Sequence, residues 1–187
     1  MDIRERIINA CRGLTLNQGL RRFTMDALAS QAGVSKRTVY RYFDSKEAVI
    51  EATLDDFMQR TAAEVKQMLM GEQNPLVIFN NLLKYLCLQG QFVINPATLN
   101  DLRLYYPQLW SKIDAFRLKH LHSVLNRLMA ANPSLLQDID PRVLTAVLTA
   151  VIQNVLNPDF ILENNLTFEE TARQLSLIFS TFFTSPS

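Results

Sequence analysis

Lys36, Arg37, Thr38, Tyr40 and Arg41 place five side-chain hydrogen-bond donors within six consecutive residues. A guanidinium fork suits the O6 and N7 acceptors of guanine, so Arg37 is the leading candidate for a base contact. Lys36 and Thr38 come next, and Thr38 can reach either a thymine methyl or a backbone oxygen. Other chemistry has little support in the sequence. No Ser/His/Asp set, paired carboxylates or metal-spaced ligands occur. Glu51, Asp55 and Asp56 read as a solvated helix face. His120 and His122 are two apart and cannot share a helix face. Cys11 and Cys87 lie far apart in apolar helical patterns, as reduced buried thiols do. The expectation is a protein that is not an enzyme and uses neither a cofactor nor a metal.

Donors read DNA only when a rigid element presents them. The stretch Thr24–Lys46 predicts two short helices joined by a tight turn. Thr24 is a good N-cap, and Asp26 in the first turn suits the helix dipole. Leu28, Ala29 and Ala32 make an apolar face of small residues. Gly33 stands where the chain must turn with positive φ, and Val34 plugs the corner. Ser35 caps the second helix, with Val39 inward and Tyr42 and Phe43 closing it. Ahead of this, Ile3, Ile7, Ala10, Cys11 and Leu14 predict a helix from about Asp2 to Asn17, with Gly19 as its stop. Together these make a three-helix head, with Arg4, Arg6, Arg21 and Arg22 free to approach phosphates. That is the geometry for laying a helix in a major groove.

Thr24, the AGVS turn at Ala32–Ser35 and the run TVYRYFDSKEAVI from Thr38 to Ile50 resemble the DNA-binding segment of the TetR family of bacterial regulators. The resemblance covers roughly the first quarter of the chain. It implies phosphate contacts from Thr24, Tyr40, Tyr42 and Lys46. It also implies a homodimer on an operator and a small-molecule cavity among the later helices. Physics agrees for the phosphates, since a helix N-terminus attracts anions and tyrosine hydroxyls donate without adding mobile charge.

Charge follows the same division. Residues 1–47 hold nine Lys/Arg against five Asp/Glu, a net +4, whereas the rest hold ten against thirteen, a net −3. A basic head on a mildly acidic remainder fits nucleic-acid binding. Met1–Arg6 is charged and no apolar run reaches membrane-spanning length, so a soluble, cytoplasmic protein without a signal peptide or membrane partner is expected.

Asp44 or Ser45 starts a long helix to Gly71, with Asp44 and Glu47 as a capping-box-like pair. About 25 residues would make a rod near ~38 Å. Asn74-Pro75, Asn95-Pro96 and Asp140-Pro141 pair a cap residue with Pro at N1, Pro107 opens another helix, and Thr167–Glu170 is a capping box. Helices are placed near 75–89, 97–103, 107–130, 141–156 and 168–183, with an irregular stretch at 157–166. Adjacent stripes on the last two long helices exceed one helix's own core. Val143, Val147, Val151, Leu175, Phe179 and Phe182 are the expected dimer interface. The effector cavity is assigned to Phe57, Phe79, Tyr85, Phe92, Arg103, Tyr106, Trp110, Phe116, His120 and Gln153, which fit a lipophilic or weakly polar ligand.

The expected architecture is all-α: a helix-turn-helix DNA-binding head over 1–46 and a helical ligand-binding and dimerisation body over 47–187. The expected function is a sequence-specific transcriptional regulator. It would be a ligand-released repressor binding a palindromic operator as a homodimer. The alternatives are a regulator without a small-molecule effector, controlled by a protein partner, or an activator.

Overall fold

A computed structural model describes residues 2–71, 74–131 and 139–184. Among these, eleven helices and no strand occur. They are α1 (Ile3–Arg22), α2 (Met25–Ala32), α3 (Lys36–Tyr42), α4 (Lys46–Gly71), α5 (Pro75–Gln89), α6 (Gln91–Ile94), α7 (Pro96–Tyr105), α8 (Pro107–Ala131), α9 (Pro141–Val155), α10 (Pro158–Glu163) and α11 (Phe168–Thr184).

The chain divides into two compact units. The first is Met1–Arg60 with Gln89–Ile113, and the second is Thr61–Leu88 with Asp114–Ser187. The long helix α4 contributes its first fifteen residues, 46–60, to one and the remainder to the other.

In the first unit α1 packs on α2, α6 and α7. Of the predicted stripe Ile7, Ala10, Cys11 and Leu14 are buried and Ile3 is half-buried, and Ile8, Thr15 and Leu20 are buried beside them. Burial pushes the Cys11 thiol above its ordinary pKa, which suits a residue that packs rather than reacts. The helix runs to Arg22 but breaks at Gly19, whose φ of 76° lies in the left-handed region open to glycine. Gly19 therefore interrupts the helix where a stop was expected, and one more turn follows it. The first half of α4 is tied down by ion pairs. Lys112 of α8 reaches Glu51 at 2.8 Å and Asp55 at 2.7 Å, and Arg12 of α1 pairs with Asp56. Phe57 and Phe92 meet edge to face at 5.5 Å, with the Arg12 guanidinium 5.4 Å from the Phe92 ring centroid.

In the second unit a core forms from Leu83 of α5, Leu125 and Met129 of α8, Leu148, Ile152 and Leu156 at α9, and Ala172, Leu175 and Phe179 of α11. Phe79 of α5 packs on Phe179 with centroids 4.8 Å apart. Val65, Ile78 and Val124 form a smaller apolar cluster.

The helix starts follow their caps. Asn95 accepts from the Thr98 amide at 2.9 Å, and Asp140 accepts from Arg142 at 2.8 Å. Thr167 and Glu170 bond reciprocally, each accepting from the other's amide. The Thr167 hydroxyl, and then its amide, donate to the Glu170 carboxyl and hold it below its ordinary pKa. Two expectations are corrected. The stretch 157–166 is not irregular, because Asn157-Pro158 is a fourth Asx-Pro start and opens α10 with the Asn157 side chain accepting from Asp159 at 2.9 Å. At α4 the cap is Ser45, which accepts from the Ala48 amide at 3.0 Å, rather than an Asp44–Glu47 pair.

Candidate nucleic-acid interface

The helix-turn-helix is built by local hydrogen bonds that its sequence dictates. Thr24 has extended backbone angles, and its hydroxyl accepts from the Ala27 amide at 3.1 Å. A hydroxyl that accepts on one lone pair still has its proton to donate, so Thr24 can cap α2 and bond a phosphate at once. At the other end Gly33 adopts φ 63°, and the amides of Gly33 and Val34 return to Ser30 and Ala29. This is the Schellman arrangement that a left-handed glycine permits. Arg6 of α1 completes the turn, donating to the carbonyls of Ala32 at 2.6 Å and Gly33 at 2.9 Å. A Cβ on residue 33 would lie 2.7 Å from that guanidinium, so another residue there would push the Arg6 head aside as well as strain φ.

α3 then starts at Ser35, which accepts from the Thr38 amide at 3.0 Å. Val39 is fully buried and Phe43 nearly so, which anchors the helix to its unit. Burying a side chain of this kind contributes about 1.5–3 kcal/mol. The face so presented carries Lys36, Arg37, Tyr40 and Arg41 in solvent, with Thr38 half-buried. The Thr38 hydroxyl lies 2.8 Å from Ser35 Oγ, so its methyl is the part left for a base. Lys36 donates to Asp26 at 2.8 Å, and this bond raises the lysine pKa. Tyr40 and Tyr42 are both exposed, with the Arg41 guanidinium 5.4 Å from the Tyr42 ring centroid. Of the two residues expected to close the helix, Phe43 does so and Tyr42 faces solvent.

Lys46 is placed differently from the other phosphate candidates. It is half-buried, and its ammonium donates to the carbonyls of Arg21 at 2.9 Å and Phe23 at 2.7 Å. It also lies 4.1 Å from the Phe23 ring centroid, and burial lowers its pKa. One of its three donors is left for a phosphate. Three of the four arginines expected to be free are engaged inside the first unit. Arg6 caps α2, Arg4 lies over Phe43 and Arg21 lies over Tyr105. Capping by Arg6 spans 26 residues, and such a partner leaves no local sequence signal.

The interface and cavity candidates are placed as follows. Val143 and Val147 of α9 are 57% and 52% exposed, and Val151 is half-buried against the core of the second unit. Leu175 and Phe179 are buried inside that core, and the Phe182 side chain lies outside the described residues. Leu177 and Ile178 on α11 are exposed instead, at 57% and 49%. The ten cavity candidates do not gather in one unit. Phe57, Phe92, Arg103, Tyr106 and Trp110 fall in the first, and Phe79, Tyr85, Phe116, His120 and Gln153 in the second. Phe57 and Phe92 pack into each other. Phe116 and His120 stack at 4.1 Å, with His120 Nδ1 2.9 Å from the Phe116 carbonyl oxygen. Among the described residues no group of three His, Cys, Asp or Glu side chains could hold a metal, and no helix is long and apolar enough to cross a membrane.

Residues 7–53, which contain this helix-turn-helix, match the sequence profile described as bacterial regulatory proteins, tetR family. Over these residues the chain carries a TetR-family DNA-binding segment. It is a DNA-binding transcriptional regulator. The similarity extends past the head. The uncharacterized HTH-type transcriptional regulator YvaF of Bacillus subtilis (strain 168) is 29% identical over 158 residues, covering 82% of this chain and 81% of that one. A crystal structure of a transcriptional regulator from Cytophaga hutchinsonii superposes over 96% of this chain and 95% of that one, with a TM-score of 0.76 at 17% identity. The transcriptional regulator FadR of Bacillus subtilis, crystallised with stearoyl-CoA, covers 98% of this chain and 99% of that one, with a TM-score of 0.63 at 15% identity.

Proposed function

We propose that this TetR-family chain is a homodimeric repressor that reads a palindromic operator through α3 and is released by a small lipophilic or weakly polar molecule. In this reading residues 1–46 bind DNA, and residues 47–187 bind the effector and the second copy. The observation that carries it is α3 itself. It is capped by Ser35 and anchored by Val39, and it holds Lys36 and Arg37 in solvent at the N-terminal end that enters a major groove. Arg37, Lys36 and the Thr38 methyl read bases. Thr24, Tyr40, Tyr42 and the remaining donor of Lys46 grip phosphates and set the register.

Dimerisation is supported by the open apolar surface of Val143 and Val147 on α9 and of Leu177 and Ile178 on α11. These residues displace Leu175 and Phe179 as the side chains offered to a second copy. The effector reading is supported by the second unit, where Thr149 is buried and its hydroxyl has no partner among the described residues. Gln153 stands one turn along the same helix. An unpaired buried hydroxyl is costly, and a ligand with one polar atom would relieve it. FadR, which shares the fold, was crystallised with an acyl-CoA. Release would follow from the effector's higher affinity for the arrangement that does not fit the operator.

Selection from a random duplex pool tests the reading. The expected result is a palindromic consensus with half-site centres roughly 34 Å apart. If each head grips about four phosphates, log affinity should fall with log salt at a slope near about −7. An unenriched pool would contradict the proposal.

A further inference from the structure

After the Gly19 break the last residues of α1 and the link Phe23–Thr24 lead into α2, with Arg21, Arg22 and Thr24 exposed and Phe23 buried, and three groups fix this backbone. Asp101 of α7 accepts from the Arg21 amide at 3.1 Å. The Lys46 ammonium binds the carbonyls of Arg21 and Phe23. The Arg21 guanidinium lies 3.8 Å from the centroid of the Tyr105 ring, also on α7. Glycine at 19 leaves room for the Asp101 contact, since a Cβ there would stand a tight 3.1 Å from the same carboxylate oxygen. The residues that continue the link are Arg22, exposed and without a side-chain hydrogen bond or ion pair among the described residues, and the cap Thr24.

We propose that Asp101 is a positioning residue for DNA binding, which fixes the Arg21–Phe23 link so that Arg22 and Thr24 meet one stretch of phosphate backbone together. The proposal rests on the DNA-binding reading above. It adds Arg22 to the phosphate contacts and makes a residue of α7, 77 positions along the chain from Thr24, part of the grip. Arg22 supplies the charge, Thr24 supplies a neutral donor beside it, and Asp101 touches neither phosphate nor base.

The test is a fluorescence-anisotropy titration of the full-length protein on its selected duplex at several salt concentrations. It uses wild type, Arg22→Ala, Thr24→Ala, Asp101→Ala, Asp101→Asn and the Arg22/Asp101 double variant, with melting temperatures alongside. Asp101→Ala should bind about tenfold more weakly, the loss of one charge-assisted hydrogen bond. Its salt slope should shrink by about one, because a phosphate contact goes with it. Asp101→Asn keeps an acceptor oxygen for the Arg21 amide and should stay within about threefold of wild type. In the Arg22→Ala background the Asp101→Ala change should cost less than about threefold more, because the two act on one contact. The proposal is overturned if Asp101→Ala binds like wild type while Arg22→Ala or Thr24→Ala is weakened. It is equally overturned if Asp101→Asn loses as much as Asp101→Ala, or if the Asp101 and Arg22 losses add in full. Failure of the underlying DNA reading would look different, since wild type itself would show no salt-dependent binding.

Discussion

Lys36 faces a choice between a protein carboxylate and DNA. Its ammonium donates to Asp26 at 2.8 Å, and both side chains are well exposed. An exposed pair of this kind contributes about 0.2–1 kcal/mol and is screened by salt. Asp26 thus restrains Lys36 and, on the proposed reading, also sets a negative charge near the phosphate that Thr24 would grip. Asp26→Asn should therefore tighten binding to arbitrary duplex by about two- to fivefold at low salt, with the gain fading as salt rises. Titrations of a non-operator duplex at two ionic strengths check this, and weaker binding by the variant would contradict it. The residues of the head divide by how far away their partners lie. Thr24, Gly33 and Ser35 were legible because their partners lie within five residues and the geometry of a cap is local. Arg6, Arg21 and Lys46 were not, because each answers to a group more than twenty residues away. A charge count does not show these partners, whereas folding gives each residue a carbonyl or a ring to hold and leaves Lys46 one donor to spare.

At the scale of elements the same logic explains which helices were found. An Asx-Pro start and an apolar period gave α5, α7 and α9 to within a residue or two. The Asn157-Pro158 start carried the same signature, but only six residues follow before the chain turns at Asn164 and Asn165, too few to show a period. α6 has four residues, and no periodicity can be seen in so short a run. The stripes on α9 and α11 were visible as an excess of apolar residues, but which stripe faces inward depends on how the helices roll in the core. Leu148 and Ile152 turn in, with Leu175 and Phe179, while Val143 and Val147 turn out. A charge placed in a buried apolar dimer face is not tolerated. If the proposed homodimer forms through this face, Val147→Glu should move the protein from dimer to monomer at micromolar concentration while leaving its helical content intact, as read by sedimentation and circular dichroism. A variant that sediments as wild type would remove α9 from the interface.

The whole chain shows how far a local motif carries. The head-forming helices were legible because their caps, turn and stripe agree, and each local choice supports the next. The composition of the compact units was not. Gln89–Ile113 joins the first unit because α6 and α7 supply Phe92 to pack on Phe57 and Asp101 to bind the link, and these contacts have no signature in α6 or α7. The same assignment puts Phe57, Phe92, Tyr106 and Trp110 in the first unit and Phe79, Tyr85 and Phe116 in the second. Sequence reading by α3 is the claim on which the rest depends. It is tested most directly by running wild type and Arg37→Ala side by side through selection from one random duplex pool. Each correct guanine contact is worth about 1–3 kcal/mol of discrimination. The account predicts that the variant keeps the palindrome and its spacing but loses the preference at one position in each half-site. An unchanged consensus would show that Arg37 reads no base and would contradict the account.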